Sequence, residues 1–145
     1  MPIVAKNKAP TMADILSLQD FCARLPQVQY EAIDHFSPGV YVREFRMPAN
    51  HYVIGKEHKT RHFNILTTGK CTVWTVHGRV DLDASTGPKI FESMAGVKKV
   101  VLAHTDIVWL TVHATNETDQ DRLEFEMINP PEQGDLFPEL DNFYL

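Results

Sequence analysis

The sequence predicts a mainly β fold, a single sandwich or small barrel, from three observations. From Val40 onward the chain divides into about eight short β-rich runs separated by turn residues. The helical segments that a βαβ architecture needs between strands are missing from that stretch. With 145 residues and 43% hydrophobic content, the chain can bury one good core and is too short for two ordinary domains.

Residues 1–10 mix Pro, Lys and Asn without periodicity and read as a loose arm. Thr11 can cap a helix from about Met12 to Leu25, where Ile15, Leu16, Phe21, Cys22 and Leu25 recur at helical spacing until Pro26 stops it. Val40 to Met47 alternates as a strand and ends at Pro48-Ala49-Asn50, after which His51 to Ile54 resumes. Phe63 to Thr67 and Lys70 to His77 flank Thr68-Gly69, which reads as a hairpin turn, and Gly78-Arg79 turns the chain toward Val80 to Asp83. Lys89 to Glu92, Val97 to Ala103 and Ile107 to His113 complete the strands. Thr118-Asp119-Gln120-Asp121 resembles a capping box opening a short helix through about Ile128. Leu123, Phe125 and Met127 also alternate, so a strand is the rival reading there. Pro130 to Leu145 is an extended tail whose Leu136, Phe137, Leu140, Phe143, Tyr144 and Leu145 should pack on the domain or on a partner subunit, because so many exposed apolar side chains are a liability. The organisation is thus an N-terminal arm and helix over 1–39, a β-barrel over 40–115, and a C-terminal helix and tail over 116–145.

A net charge of -5 argues against non-specific nucleic-acid binding, which needs a basic surface to displace counterions. Cys22 and Cys71 stand far apart in unlike contexts and form no CxxC pair or disulfide framework, which fits the reducing cytoplasm. No apolar run approaches the ~20 residues needed to span a bilayer, so no membrane partner is expected. There is no GxSxG, phosphate-cradling glycine loop or Cys/His dyad to support nucleophilic catalysis.

The segment Gly55 to Gly69 carries the chemistry: His58 and His62 lie four residues apart between β-like runs. On one flat strand, at ~3.3 Å per residue, their Cα atoms would be about 13 Å apart, near the limit for sharing an ion. If the chain turns through Lys59-Thr60-Arg61 instead, His58 closes one strand, His62 opens the next, and both rings can reach the ~2.0–2.1 Å bonds a metal requires. A third imidazole can be argued from register. With Thr105-Asp106 as a two-residue turn, Leu102 faces Trp109, Val100 faces Thr111 and Lys98 faces His113. Alternation puts His113 on one face with Thr111 and Trp109, and puts Asn64 and Leu66 on the face of His62. Asn64 and Thr111 therefore become candidate ligand contacts, and Lys56 and Lys98, basic residues near the histidines, could hold a small anion. Glu57 would point away from His58 on a regular strand unless a bulge brings it in. His35, His51, His77 and His104 lie in turns or at strand ends and read as surface groups. Trp74 and Trp109 read as core aromatics rather than a stacking platform.

On these residues, the stretch from about Val40 to Thr115 resembles the cupin superfamily, and most of all the small cupin-like proteins of tailed bacteriophages. The first cupin motif sets a His-x-His pair and a glutamate between two glycines; aligned on Gly69, His62 takes the glutamate position, His58 the second histidine and Lys56 the first. The second motif runs from Met94 to Ala103, keeps Gly96 and replaces its histidine with Lys99. The resemblance implies a jelly-roll barrel and a divalent ion such as Zn, Fe, Mn or Ni. Here His58 and His62 would be its ligands, with His113 supplying the lost third imidazole by the register argument. It allows dioxygenase, isomerase or hydrolase chemistry on a small molecule without choosing among them. The other expectation is a non-catalytic homo-oligomeric module, with the N-terminal helix and aromatic tail at its interfaces. The compartment expected is the cytoplasm, that of the host if the gene is phage-borne.

Overall fold

The computed structural model describes residues 9–128; the expectations for the tail beyond them lie outside the described residues. Helix α1 (Met12–Ala23) begins at a capping box, in which Thr11 Oγ1 accepts from the Asp14 amide at 3.1 Å and the Asp14 carboxylate accepts from the Thr11 amide at 2.8 Å. Among the described residues nine strands follow: β1 (Glu31–Ser37), β2 (Val40–Met47), β3 (Tyr52–Ile54), β4 (His62–Thr68), β5 (Lys70–Thr75), β6 (Gly78–Asp83), β7 (Lys89–Ser93), β8 (Val100–Ala103) and β9 (Ile107–His113). Helix α2 (Gln120–Met127) ends the described chain. All pairings are antiparallel, in a five-stranded sheet ordered β1-β2-β9-β4-β7 and a four-stranded sheet ordered β3-β8-β5-β6. This is a mainly β jelly roll with a helix at each end. No helix among the described residues is long and apolar enough to cross a membrane.

Phe45, Met47, Val53, Leu66, Cys71, Val73, Val101, Ile107 and Trp109 fill the space between the sheets. Outside the four-stranded sheet, α1 lays Ile15 and Leu18 on Trp74 and Val100. Burying each of those two aliphatic side chains contributes about 1.5–3 kcal/mol. That cover explains why consecutive residues of β5 are buried, and it places Trp74 beneath the helix rather than between the sheets.

Several local expectations are corrected. Glu31–Ser37 forms an edge strand, although only Ala32 and Asp34 turn toward the interior with any burial, which is too little apolar alternation to mark it in sequence. Neither Thr68-Gly69 nor Thr105-Asp106 is a hairpin turn; each carries the chain from one sheet to the other. Thr105-Asp106 lacks the Gly or Asn that a two-residue hairpin demands at positive φ. Instead Thr105 Oγ1 accepts from the Lys70 amide at 3.0 Å and Asp106 accepts from the Ala49 amide at 2.9 Å, tying neighbouring crossovers together. Gly69, at φ +88°, lies so close to this link that a Cβ would stand 2.2 Å from the Asp106 carbonyl oxygen. The β5–β6 turn is Val76-His77, since Thr75 pairs with Gly78. Helix α2 is a helix, as preferred, but Asp119 caps it by accepting from the Arg122 amide at 3.1 Å.

Candidate metal centre

The inner face of the five-stranded sheet changes from apolar to polar along its strands, in register. Met47 pairs with Ile107, and Phe45 and Leu66 flank Trp109; one layer on, Arg43 and Asn64 flank Thr111, and beyond it Tyr41 pairs with His113 while His62 pairs with Ser93. Period-two alternation on β2, β4 and β9 thus collects the polar inward side chains at one end of the barrel. His113 does not face Lys98, because β8 and β9 belong to different sheets; it reaches the same end through β2 and β4.

His58 completes the group. It precedes the Lys59-Thr60-Arg61 bend and forms an isolated bridge with Ile128 at the end of α2, while the Lys59 amide donates to the Met127 carbonyl at 2.6 Å. Tyr41, Leu123, Met127 and Ile128 pack together, so α2 closes this end of the barrel. His58, His62 and His113 are 0%, 4% and 2% exposed. Their ring centroids stand 4.2 Å (58–62), 5.1 Å (58–113) and 4.6 Å (62–113) apart, and one nitrogen from each lies within 4.8 Å of the others.

The donor chemistry fits a metal ion. His62 Nδ1 lies 3.1 Å from the Thr60 carbonyl oxygen. Donating there fixes the tautomer and leaves the Nε2 lone pair for a ligand, the usual arrangement of a metal-binding imidazole. His62 Nε2 and His113 Nδ1 are buried with no hydrogen-bond partner among the described residues, an arrangement that costs free energy unless something else meets them. Desolvation, with the charge of Lys99, pulls His62 down to about 4; desolvation, with His62 and Lys99, pulls His113 down to about 3. Both rings are therefore neutral, the state that ligates.

The other sequence candidates take distinct places. Asn64 is fully buried and engaged at both ends, donating to Ser93 Oγ at 2.8 Å and accepting from Trp109 Nε1 at 3.3 Å. Thr111 is buried, and its hydroxyl has no partner among the described residues. Lys56 pairs with Glu124 of α2. Lys98 is buried at 8% exposure, and its neighbour Lys99 lies deeper at 1%. Glu57 does not join the imidazole cluster. His35 meets Glu44, His51 meets the Ala49 carbonyl, His77 sits in the β5–β6 turn and His104 meets Thr72, all away from the centre. Ser93, Tyr41 and Arg43, none of them marked by a sequence motif, also turn inward here, and alternation from Phe91 and from Phe45 is the signal that places them on this face.

No family model matches the chain, and no curated protein matches it. Solved structures do. A cupin superfamily protein from Desulfitobacterium hafniense matches with a TM-score of 0.52 at 12% identity, over 77% of this chain and 98% of that one. DMSP lyase DddQ from Ruegeria pomeroyi gives 0.54 at 14% identity, over 66% and 54%. Salicylate 1,2-dioxygenase from Pseudaminobacter salicylatoxidans gives 0.53 at 14% identity, over 77% of this chain but only 33% of the dioxygenase. The chain therefore has the cupin fold, with a buried three-histidine cluster able to hold a metal ion. These relatives do not bear on the narrower likeness to phage proteins.

Proposed function

We propose that this is a metal-binding cupin-like protein that binds, or acts on, a small anionic molecule inside its barrel, with His58, His62 and His113 holding a divalent ion. The observation that carries this reading is the convergence of three buried imidazoles, two of which present ring nitrogens that no described residue satisfies. Three neutral nitrogen ligands suit Zn, Fe or Ni, with Mn a weaker fit. A bound ion would supply a Lewis-acidic centre with further positions for a ligand oxygen. Thr111 offers its hydroxyl to the same chamber, Asn64 orients Ser93, and Lys98 and Lys99 add positive charge. Lys56 contributes by fastening α2 through Glu124. A dioxygenase and a lyase among the fold relatives support chemistry on small molecules without selecting a reaction. Equilibrium dialysis of untagged protein against Zn, Fe(II), Mn and Ni in turn is the test. One equivalent of at least one ion is expected, and substoichiometric uptake of all four contradicts the reading.

A second reading, a homo-oligomeric binding or structural module, is favoured by the outer face of the five-stranded sheet. One row across it holds Ile33, Glu44, Leu110, Ile65 and Ile90, and the next holds His35, Val42, Val112, Phe63 and Glu92. Phe63 and Ile90 are 50% and 62% exposed, an apolar surface of the kind that partners cover. Sedimentation of the parent and of Phe63→Glu/Ile90→Glu tests it. A dimer that the substitutions dissociate supports association through this face, and a monomeric parent rejects it.

A further inference from the structure

A cleft of about 340 Å³ opens beside β5, β6, β7 and the loop that precedes β8, at the small end of the ~300–1,000 Å³ typical of ligand sites. Val73, Val80, Leu82, Phe91, Met94 and Val97 make its lining largely apolar. Lys99 and Ser93 also line it, at 1% and 4% exposure, and are its most deeply buried polar groups.

Their hydrogen bonding leaves a surplus of donors. Ser93 Oγ accepts from Asn64 Nδ2 at 2.8 Å and from Lys99 Nζ at 3.1 Å. Those two bonds use both hydroxyl lone pairs and leave its O–H free to donate. An ammonium carries three N–H donors, and Ser93 takes one of those of Lys99. No carboxylate pairs with Lys99 among the described residues. The other charges along the cleft are matched already, Arg79 by Asp81 and Glu92 by Arg61. What remains when the amine is protonated is one buried cation and three hydrogen-bond donors with no acceptor among the described residues, at the end of an apolar passage. A buried charge in that state calls for an anionic partner.

We propose that this cleft binds a small monocarboxylate with an apolar body, its carboxylate seated on Lys99 Nζ and Ser93 Oγ. A phosphate monoester carries nearly two charges and would be undercompensated by one lysine, and an inorganic anion would leave the apolar walls uncovered. Because Ser93 is the cross-strand partner of His62, the bound carboxylate would lie next to the imidazole cluster. The inference deepens the small-anion reading above and rests on it for the barrel as a ligand chamber, but it does not need the metal.

Calorimetric titration of the metal-free parent protein with hexanoate and benzoate, compared with hexanamide, benzamide and phenyl phosphate, tests it directly. At least one carboxylate should bind about tenfold or more tighter than its amide and than phenyl phosphate, the loss expected when a charge-assisted hydrogen bond goes. Lys99→Met should lose the same factor for the carboxylate. Equal binding of acid and amide, tighter binding of phenyl phosphate, no binding of either acid at millimolar concentration, or undiminished binding by Lys99→Met would each overturn the proposal. The acid–amide comparison uses the parent alone and stands even if the variant does not fold. A parent that takes up metal but ignores both acids fails this inference only; one that holds the acid through Lys99 but takes up no metal fails the metal reading only.

Discussion

His62 stands opposite Ser93 across the β4–β7 ladder, and Ser93 is the residue that receives the hydrogen bond from Lys99. The candidate metal ligand and the buried amine are thus both neighbours of one serine, which Asn64 holds from the other side while accepting from Trp109.

That network should be measurable as stability. Ser93→Ala leaves Asn64 Nδ2 and Lys99 Nζ without an acceptor, and a buried polar group that loses its partner costs ~1–3 kcal/mol. Asn64→Ala strips partners from both Trp109 and Ser93 and opens a small cavity, so it should cost more, about 2–4 kcal/mol. Urea unfolding of both single variants and the double variant should give a coupling energy of about 0.5 kcal/mol or more. Strict additivity would show that the two side chains do not act together.

Lys99 should impose a pH dependence on the fold. Desolvation lowers it from 10.5 to about 7, and His62 and His113 are the titratable groups that couple to it. Between those two pH values the unfolded chain holds the proton that the folded chain has released. Stability therefore rises with pH across that window, and the penalty is fully present below about pH 7. Replacing the amine by an apolar chain of similar length removes the effect. Urea midpoints followed over that range should climb for the parent and flatten for Lys99→Met; parallel profiles would contradict the burial of a charged amine here.

Gly69→Ala should be among the most damaging single changes outside the site. The position combines a left-handed φ of +88° with a Cβ placed 2.2 Å from the Asp106 carbonyl oxygen. Positive φ alone costs a non-glycine residue ~1 kcal/mol or more, and the backbone clash adds to it because two crossovers must separate. A loss of about 2 kcal/mol or more in chemical unfolding is expected, against a smaller loss of about 1 kcal/mol for Gly39→Ala, which shares a positive φ of +79° but has nothing within 4 Å of the added Cβ.

The strands and the histidine cluster were legible in the sequence for a shared reason. Val40–Met47 and Ile107–His113 alternate cleanly because one face is buried and the other is not, and the same alternation put Thr111 beside His113 and Asn64 beside His62. Sheet assignment was not legible. A two-residue link such as Thr105-Asp106 can close a hairpin or cross between layers, and the choice depends on contacts with Lys70 and Ala49 that are distant in sequence. The pairing of His113 with Tyr41 rather than Lys98 follows from that crossover. Likewise Lys98 and Lys99 could not be ranked by alternation, because both precede β8 and lie outside a regular strand.

Metal content of untagged protein after equilibration and desalting decides whether His58, His62 and His113 share one ion. The parent should retain one equivalent, and His58→Ala, His62→Ala and His113→Ala should each retain far less while staying folded by circular dichroism. Full retention by His113→Ala, or no retention by the parent, would contradict a shared ion.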